Sequence, residues 1–143
     1  MNKLFITYKE FWEQFKNPFS KNSAVPAYQE GYAVVKKGST WQPPPLPYIV
    51  YPVVRPAYSE NALFNVTVWD KATNPGQFPV VNAVVEQIAE MIGEEGVVLT
   101  LDNNEGAIWL MRGTPFVTYP QGDPDDPTIV RGMLNLIARG YML

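Results

Sequence analysis

The chain has 143 residues, no Cys, no His and a formal net charge of −3. A chain of this length buries the core of one ordinary domain, so we expect a single domain over residues 1–143. Without Cys there is no disulfide or thiolate chemistry, and without His there is no Ser-His-Asp or Cys-His catalysis. An enzyme would depend on carboxylates, Lys, Tyr or a bound Mg²⁺ or Ca²⁺.

The charge is unevenly distributed along the chain. Residues 1–37 carry six Lys and three Glu (+3), whereas residues 38–143 carry five basic and eleven acidic residues (−6). The negative second part argues against nucleic acid as the main partner. The opposite signs could steer the N-terminal part of one copy onto another, but a soluble protein with a basic terminus is the commoner explanation. The sequence contains no run of about 18 apolar residues, so it predicts no membrane span. The apolar run at its start is too short for a signal peptide, so we expect a cytosolic product.

Residues 1–17 predict an N-terminal helix. Phe5, Tyr8, Trp12 and Phe15 recur at spacings that place them on one helical face. This stripe would fill the core or pack on a neighbouring subunit. Pro18 ends the pattern, because a helix seldom continues through the residue before a proline.

Residues 18–46 predict an extended arm. The run from Trp41 to Pro47 contains four prolines and is expected to be stiff and polyproline-like. Tyr28, Tyr32 and Trp41 argue against complete disorder. We therefore expect the arm to become ordered against the body of the protein or against a partner.

Residues 47–143 predict an α+β body that begins with a hairpin. Residues 47–56 and 63–70 are rich in β-branched and aromatic residues and are joined by a polar break. Pro52 places the first strand at an edge or a bulge. Alternation gives the second strand a core face, which consists of Phe64, Val66, Val68 and Asp70.

An amphipathic helix follows the hairpin. Pro79 suits its first turn and Gly93 its C-terminal stop. Its apolar stripe consists of Val81, Val84, Val85, Ile88 and Ile92. This stripe needs a sheet or a helix to cover it, and the preceding hairpin is the nearest candidate.

Three more strands are predicted in the C-terminal part. Residues 97–101 and 107–112 flank a turn at 102–106 and form a second hairpin, with 114–120 as an extension or a further edge. Residues 129–142 fit either a helix or a strand, and we choose a strand because Gly132 and Gly140 disfavour a helix. The predicted fold is α+β, a mostly antiparallel sheet of four to five strands with the N-terminal helix and the amphipathic helix packed on it, plus the Pro-rich arm.

The acidic loop with Asp123, Asp125 and Asp126 is the one candidate for metal chemistry. Alternate Asp residues occur in Ca²⁺ loops, but here Pro124 interrupts the pattern, and the glycine and glutamate of such loops are missing. A solvated turn is the simpler interpretation. We predict no catalytic residue, no metal ligand and no cofactor.

The order of elements and several segments resemble the tail terminator (tail-completion) proteins of long-tailed bacteriophages. The segments that carry the likeness are the N-terminal helix, residues 47–51 and 66–70 of the first hairpin, the helix over 80–92, and residues 131–136 of the final strand. The likeness covers about residues 46–143. It includes no catalytic motif.

The resemblance implies a structural virion protein rather than an enzyme. Such a subunit has its helices on one side of a sheet and assembles, usually as a six-membered ring, at the end of the tail tube. The ring stops tube growth and joins the tail to the head connector, with DNA passing only through the lumen. We therefore expect this chain in the tail-neck region of the virion, and in the host cytoplasm before assembly.

Residues suited to the expected interfaces are aromatic or Arg, the types enriched at interface hot spots. The candidates for contacts with other subunits or partners are Trp41, Tyr48, Tyr51, Arg55, Trp69, Trp109 and Arg112. Each of them is equally well explained as a core or boundary residue.

Three alternatives remain open from the sequence. The chain could be another neck, head-tail joining or tail-tube protein. It could be a small carboxylate- or metal-dependent hydrolase that uses the acidic loop. It could also be a peptide-binding module that uses the edge of the strand containing Pro52.

Overall fold

The computed structural model describes residues 3–101 and 106–141. The predicted α+β class is confirmed: two helices accompany a curled, mostly antiparallel sheet. In chain order the elements are α1 (Lys3–Trp12), β1 (Lys16–Asn17), β2 (Ser23–Ala24), β3 (Ala27–Gln29), β4 (Val35–Lys37), β5 (Thr40–Gln42), β6 (Tyr48–Tyr51), β7 (Asn61–Lys71), α2 (Pro79–Ile92), β8 (Val97–Thr100), β9 (Ala107–Thr118) and β10 (Ile129–Tyr141).

The main sheet has six strands in the order β3-β6-β7-β10-β9-β8. All neighbours are antiparallel except β3 and β6, which run parallel. The prediction of four to five strands was too low, because β3 lies in the segment predicted as an arm. Its backbone pairs Ala27–Gln29 with residues 49–51, and this adds an edge strand.

The long strand β10 occupies the middle of the sheet, which confirms the choice of strand for residues 129–142 as far as Tyr141. It pairs with β7 on one side and with β9 on the other. Its even-numbered residues are buried and its odd-numbered residues are less so. Gly132 is needed under α2, because a Cβ atom there would lie 2.7 Å from Val81 Cγ1.

The helix α2 matches its prediction closely. All five residues of the predicted stripe are buried against the sheet. Gly93 takes a positive φ of 72° at the C-terminal end, and its N–H donates to the carbonyl of Ala89. Arg112 of β9 donates from Nη2 to the same carbonyl at 2.7 Å, which ties the end of the helix to the sheet.

The helix α1 is shorter than predicted, and of its predicted stripe Tyr8, Trp12 and Phe15 are buried but Phe5 is not. Leu4, Tyr8, Phe11 and Trp12 are buried in it, whereas Phe5 is 41% exposed. The helix ends at Trp12, and Phe15 is buried beyond its end. Positions 4, 8, 11, 12 and 15 lie on one helical face, and Leu4 is nearer to the centre of this face than Phe5. Trp12 stacks on Tyr51 of β6 at a centroid distance of 6.3 Å.

The segment predicted as an arm contains strands. Residues 23–24 pair with 16–17, and β4 and β5 form a hairpin of their own. The hairpin of β6 with β7 and the hairpin of β8 with β9 are both confirmed. Of the turn predicted between β8 and β9, residues 102–105 lie outside the described residues.

Both helices lie on the same face of the sheet. Trp12 of α1 reaches Tyr51, and α2 covers Val68 and Leu134 of the central strands. Side chains that alternate with these point to the opposite face, which no described helix covers. Most of the buried core therefore lies between the sheet and the two helices.

Asp70 is an acidic residue on the covered face and is only 8% exposed. Burial raises its pKa, and a backbone hydrogen bond from Lys71 partly opposes that rise. Because the folded pKa is raised, the folded state binds more protons than the unfolded chain in the window between the two pKa values. Stability therefore falls as pH rises through that window, and the loss is complete above the folded pKa.

We expect Asp70→Asn to increase the free energy of unfolding at pH 7 by about 1 kcal/mol, because the amide keeps the acceptor and removes the buried charge. The gain should vanish near pH 3, below the usual pKa of Asp of about 3.9. Urea denaturation at both pH values measures it. Asp125→Asn, at an exposed position, is the matched control. Equal stabilities of Asp70→Asn and the parent at pH 7 would show that burial of this carboxylate is not destabilising.

Candidate protein interface

The uncovered face of the sheet carries most of the accessible aromatic and Arg side chains of the strands. We call it the open sheet face. It is formed by alternate residues of four neighbouring strands, namely Tyr48, Leu63, Thr67, Trp69, Trp109, Arg131, Met133, Ile137, Arg139 and Tyr141. Leu63 is 82% exposed, and most of the others are half-buried by their lateral neighbours.

One end of the open sheet face is a ladder of stacked side chains. The Arg131 guanidinium lies 5.1 Å from the Trp69 ring, and Trp69 stacks on Tyr48 at 6.3 Å. Tyr48 meets Tyr28 of β3 edge-on at 6.0 Å. Burial, and secondarily the neighbouring Tyr28, raises the pKa of Tyr48. The ladder thus crosses four strands and holds a cation against an aromatic surface.

The register of the strands creates this ladder. Tyr48 is directly opposite Trp69, and Trp69 is directly opposite Arg131. The indole N–H of Trp69 donates to Thr67 Oγ1 at 3.0 Å, which fixes the ring. Arg131 Nε is buried and has no hydrogen-bond partner among the described residues.

A second Arg–aromatic cluster lies towards the opposite edge. Arg139 is directly opposite Trp109, its guanidinium is 5.8 Å from the Tyr141 ring, and the two rings are 6.2 Å apart. Arg139 also donates to Asn61 Oδ1 at 3.1 Å and to Ser59 Oγ at 3.2 Å. The side chain is therefore preorganised before any partner binds.

Mixed apolar and polar side chains separate the two clusters, since Asn135 lies between Met133 and Ile137 with Asn65 directly opposite. Ile137 is directly opposite Leu63 on one side and Met111 on the other, and Met133 is opposite Thr67 and Thr118. A shallow cavity of about 210 Å³ beside Met133 is lined by Glu30, Val50, Pro52, Asn65 and Thr67. A centre of mixed apolar and polar side chains with Arg and aromatic residues around it is compatible with a protein interface.

The seven residues proposed from the sequence are divided among several places. Tyr48, Trp69 and Trp109 come together on the open sheet face. Tyr51 and Arg112 lie on the covered face, because side chains alternate along a strand and these two are an odd number of residues away from Tyr48 and Trp109, respectively. They contact α1 and α2 respectively.

The remaining two residues lie away from the open sheet face. Trp41 is in the hairpin of β4 and β5 and is 62% exposed. Arg55 is exposed in the connection between β6 and β7. These two residues therefore belong to a different surface from Tyr48 and Trp69.

The aromatic and Arg residues of the open sheet face that the sequence prediction missed are Arg131, Arg139 and Tyr141. All three lie on the odd-numbered face of β10. Their alternation was visible in the sequence, but it did not identify the neighbouring strands. The pairing of β10 with both β7 and β9 is what brings these residues beside Trp69 and Trp109.

The acidic loop forms local turns. Asp123 Oδ1 accepts the N–H of Asp125 at 2.8 Å, and Asp126 Oδ1 accepts from the backbone and the hydroxyl of Thr128. Hydrogen bonds from Thr128, together with Lys71 at 3.5 Å, lower the pKa of Asp126. Among residues 3–101 and 106–141, no group of three acidic side chains is placed to hold a metal ion.

Comparisons with known proteins add no relative. No protein-family model, no curated protein and no solved structure matches this chain. Neither α1 nor α2 is long and apolar enough to cross a membrane. Function is therefore inferred from the surfaces of the molecule itself and from the resemblance drawn from its sequence.

Proposed function

We propose that this protein is a phage tail terminator. In this role it forms a ring, with six subunits expected from the resemblance, at the end of the tail tube. The ring stops tube growth and presents a docking surface to the head connector, while DNA passes only through its lumen. Its partners are other copies of itself, the tail tube protein and the neck proteins, and its place is the tail-neck region of the virion.

The open sheet face is the observation that carries this proposal. It is continuous across the central strands, carries both apolar and polar side chains at its centre, and is bordered by two preorganised Arg–aromatic clusters. Exposed surfaces with accessible apolar, aromatic and Arg side chains mark protein interaction sites. We assign it to the contact along the tail axis, with the end of the tube.

A closed ring also needs two different complementary surfaces on every subunit. The hairpin of β4 and β5, within the Pro-rich segment over residues 18–46, supplies candidate surface for that contact. The function is binding, and it needs no catalytic residue, metal or cofactor. No particular observation favours the hydrolase or the peptide-binding alternative.

Tube growth provides the test. The tail tube protein of the same virus is polymerised with and without this protein, and tube lengths are measured by electron microscopy. We expect short, capped tubes with the parent protein and unrestricted tubes with Leu63→Glu, which introduces a charge into the open sheet face. Phe19→Glu is the matched control, because Phe19 is also a large exposed apolar residue, at 67%, outside that face.

Unrestricted tubes with the parent protein would contradict the terminator function. If Leu63→Glu caps tubes as efficiently as Phe19→Glu, the open sheet face does not form the axial contact. The ring mass of Leu63→Glu should equal that of the parent, because we assign subunit contacts to a different surface.

A further inference from the structure

The hairpin of β4 and β5 stands apart from the hydrophobic core. Between residues 26 and 43 no side chain is buried, and Trp41 is 62% exposed at the end of the hairpin. Its ring is covered on one side by Lys36, whose Nζ lies 5.6 Å from the centroid. An isolated two-stranded hairpin is marginally stable in water. This hairpin therefore gains stability if Trp41 is buried against another surface.

A cavity of about 450 Å³ lies between the C-terminal end of α1 and the outer side of α2. It is lined by Gln14, Phe15, Gln87, Glu90 and Met91. Its volume falls within the range of about 300–1,000 Å³ that holds drug-sized ligands, which leaves room for a large side chain. Met91 is 45% exposed at the rim, and a Met side chain adapts readily to an incoming aromatic ring.

One wall of this cavity is fixed by hydrogen bonds. The side chain of Gln87 accepts from Lys16 N at 2.9 Å and donates to Lys16 O at 2.7 Å. Phe15, at 2% exposure, is held in the core beneath. The cavity therefore exists before binding, which lowers the entropic cost of filling it.

The hairpin and the rim of the cavity carry opposite charges. Residues 31–42 contain two Lys and no acidic residue, whereas residues 79–101 contain four Glu and no basic residue. Glu86 and Glu90 lie one helical turn apart on the exposed side of α2. Complementary charge of this kind steers association and sets its register.

We infer that Trp41 of one subunit docks in the cavity between α1 and α2 of a second copy. Lys36, on the same side of the hairpin as Trp41, then faces Glu90 at the cavity, and Lys37 adds positive charge opposite the acidic side of α2. The contact is heterologous, because the hairpin meets a different surface of its neighbour, and repetition closes a ring when the rotation divides the circle. This inference rests on the proposed ring and identifies the surfaces that form it. The open sheet face remains free for the end of the tube.

Crosslinking between two single-cysteine variants tests the inference, since the natural chain has no Cys. Thr40→Cys, beside Trp41, and Met91→Cys, at the cavity, are mixed in equal amounts and treated with a short bismaleimide. We expect a strong dimer band from the mixture and at least a tenfold weaker band from either variant alone. Adding Trp41→Ala to the Thr40→Cys chain should abolish the band.

A charge exchange distinguishes docking from misfolding. Lys36→Glu with Lys37→Glu on the Thr40→Cys chain should lower the yield of the mixed dimer at least tenfold. Pairing that chain with Met91→Cys that also carries Glu86→Lys and Glu90→Lys should restore it. Restoration would not occur if the substitutions merely unfolded either chain.

Each outcome decides the inference. No mixed dimer, or equal bands from the mixture and from either variant alone, overturns it. The solution mass of the parent protein is measured in parallel. A ring mass without the mixed dimer would support the proposed ring but contradict the contact between Trp41 and the cavity. A mixed dimer without a closed ring would support that contact but contradict the terminator function.

Discussion

Phe15→Ala should lower the free energy of unfolding by about 3–5 kcal/mol, the usual cost of removing a buried aromatic side chain. Phe15 is 2% exposed and lies beyond the end of α1. Its ring packs against Phe11 at 5.9 Å and against Trp12 at 6.0 Å. Truncation leaves a void that these large rings cannot fill. Chemical denaturation monitored by Trp fluorescence measures the change.

Phe19→Ala is the matched control for this substitution. Phe19 lies four residues further along and is 67% exposed. A surface substitution of this type changes stability by no more than about 0.5 kcal/mol. Similar losses for the two variants would contradict the burial of Phe15 and the packing of residues 13–17 against α2.

Gly96→Ala should destabilise the protein by about 2–4 kcal/mol, since two costs combine there. Gly96 has a φ of 87°, which an L side chain rarely adopts, and it lies just before β8. A Cβ atom at this position would lie 2.4 Å from Trp109 Nε1 and 2.6 Å from the carbonyl oxygen of Leu110. The indole N–H of Trp109 also donates to the carbonyl of Glu95 at 2.9 Å, so the ring has little freedom to move.

Gly93→Ala separates the backbone penalty of a positive φ from the steric clash of the added Cβ atom. Gly93 also has a positive φ, 72°, but a Cβ atom at this position would have no neighbouring atom within 4 Å. Its substitution should cost less than Gly96→Ala, about 1–3 kcal/mol, which is the backbone penalty alone for a φ of 72° with a ψ of 175°. Thermal unfolding of both variants gives the comparison. Equal losses would show that the turn before β8 has room for a methyl group.

The sequence predicted those elements whose burial pattern is set locally. The stripe of α2 was correct at all five positions because a helical period places each residue independently of distant strands. The alternation of β7 was correct for the same reason, since its buried face follows from Phe64 to Asp70. The predicted stripe of α1 began at Phe5, whereas the buried stripe begins at Leu4. Both residues are apolar, so the sequence pattern did not distinguish them.

Features that depend on distant pairing were harder to predict. The segment at 27–29 has no strong strand pattern, and it becomes β3 only because the edge of β6 offers unpaired backbone groups. The open sheet face depends on which strands flank β10. Trp69 lies on that face and Tyr51 lies beneath α1, but both are aromatic, so residue type alone did not show which of them is accessible to a partner.

The solution mass of the parent protein, measured by light scattering over a concentration series, tests the proposed ring most directly. The ring predicts a closed species of about six times the chain mass of 16.1 kDa, with no larger species as concentration rises. A mass of one or two chains at every concentration would contradict the ring and with it the proposed function.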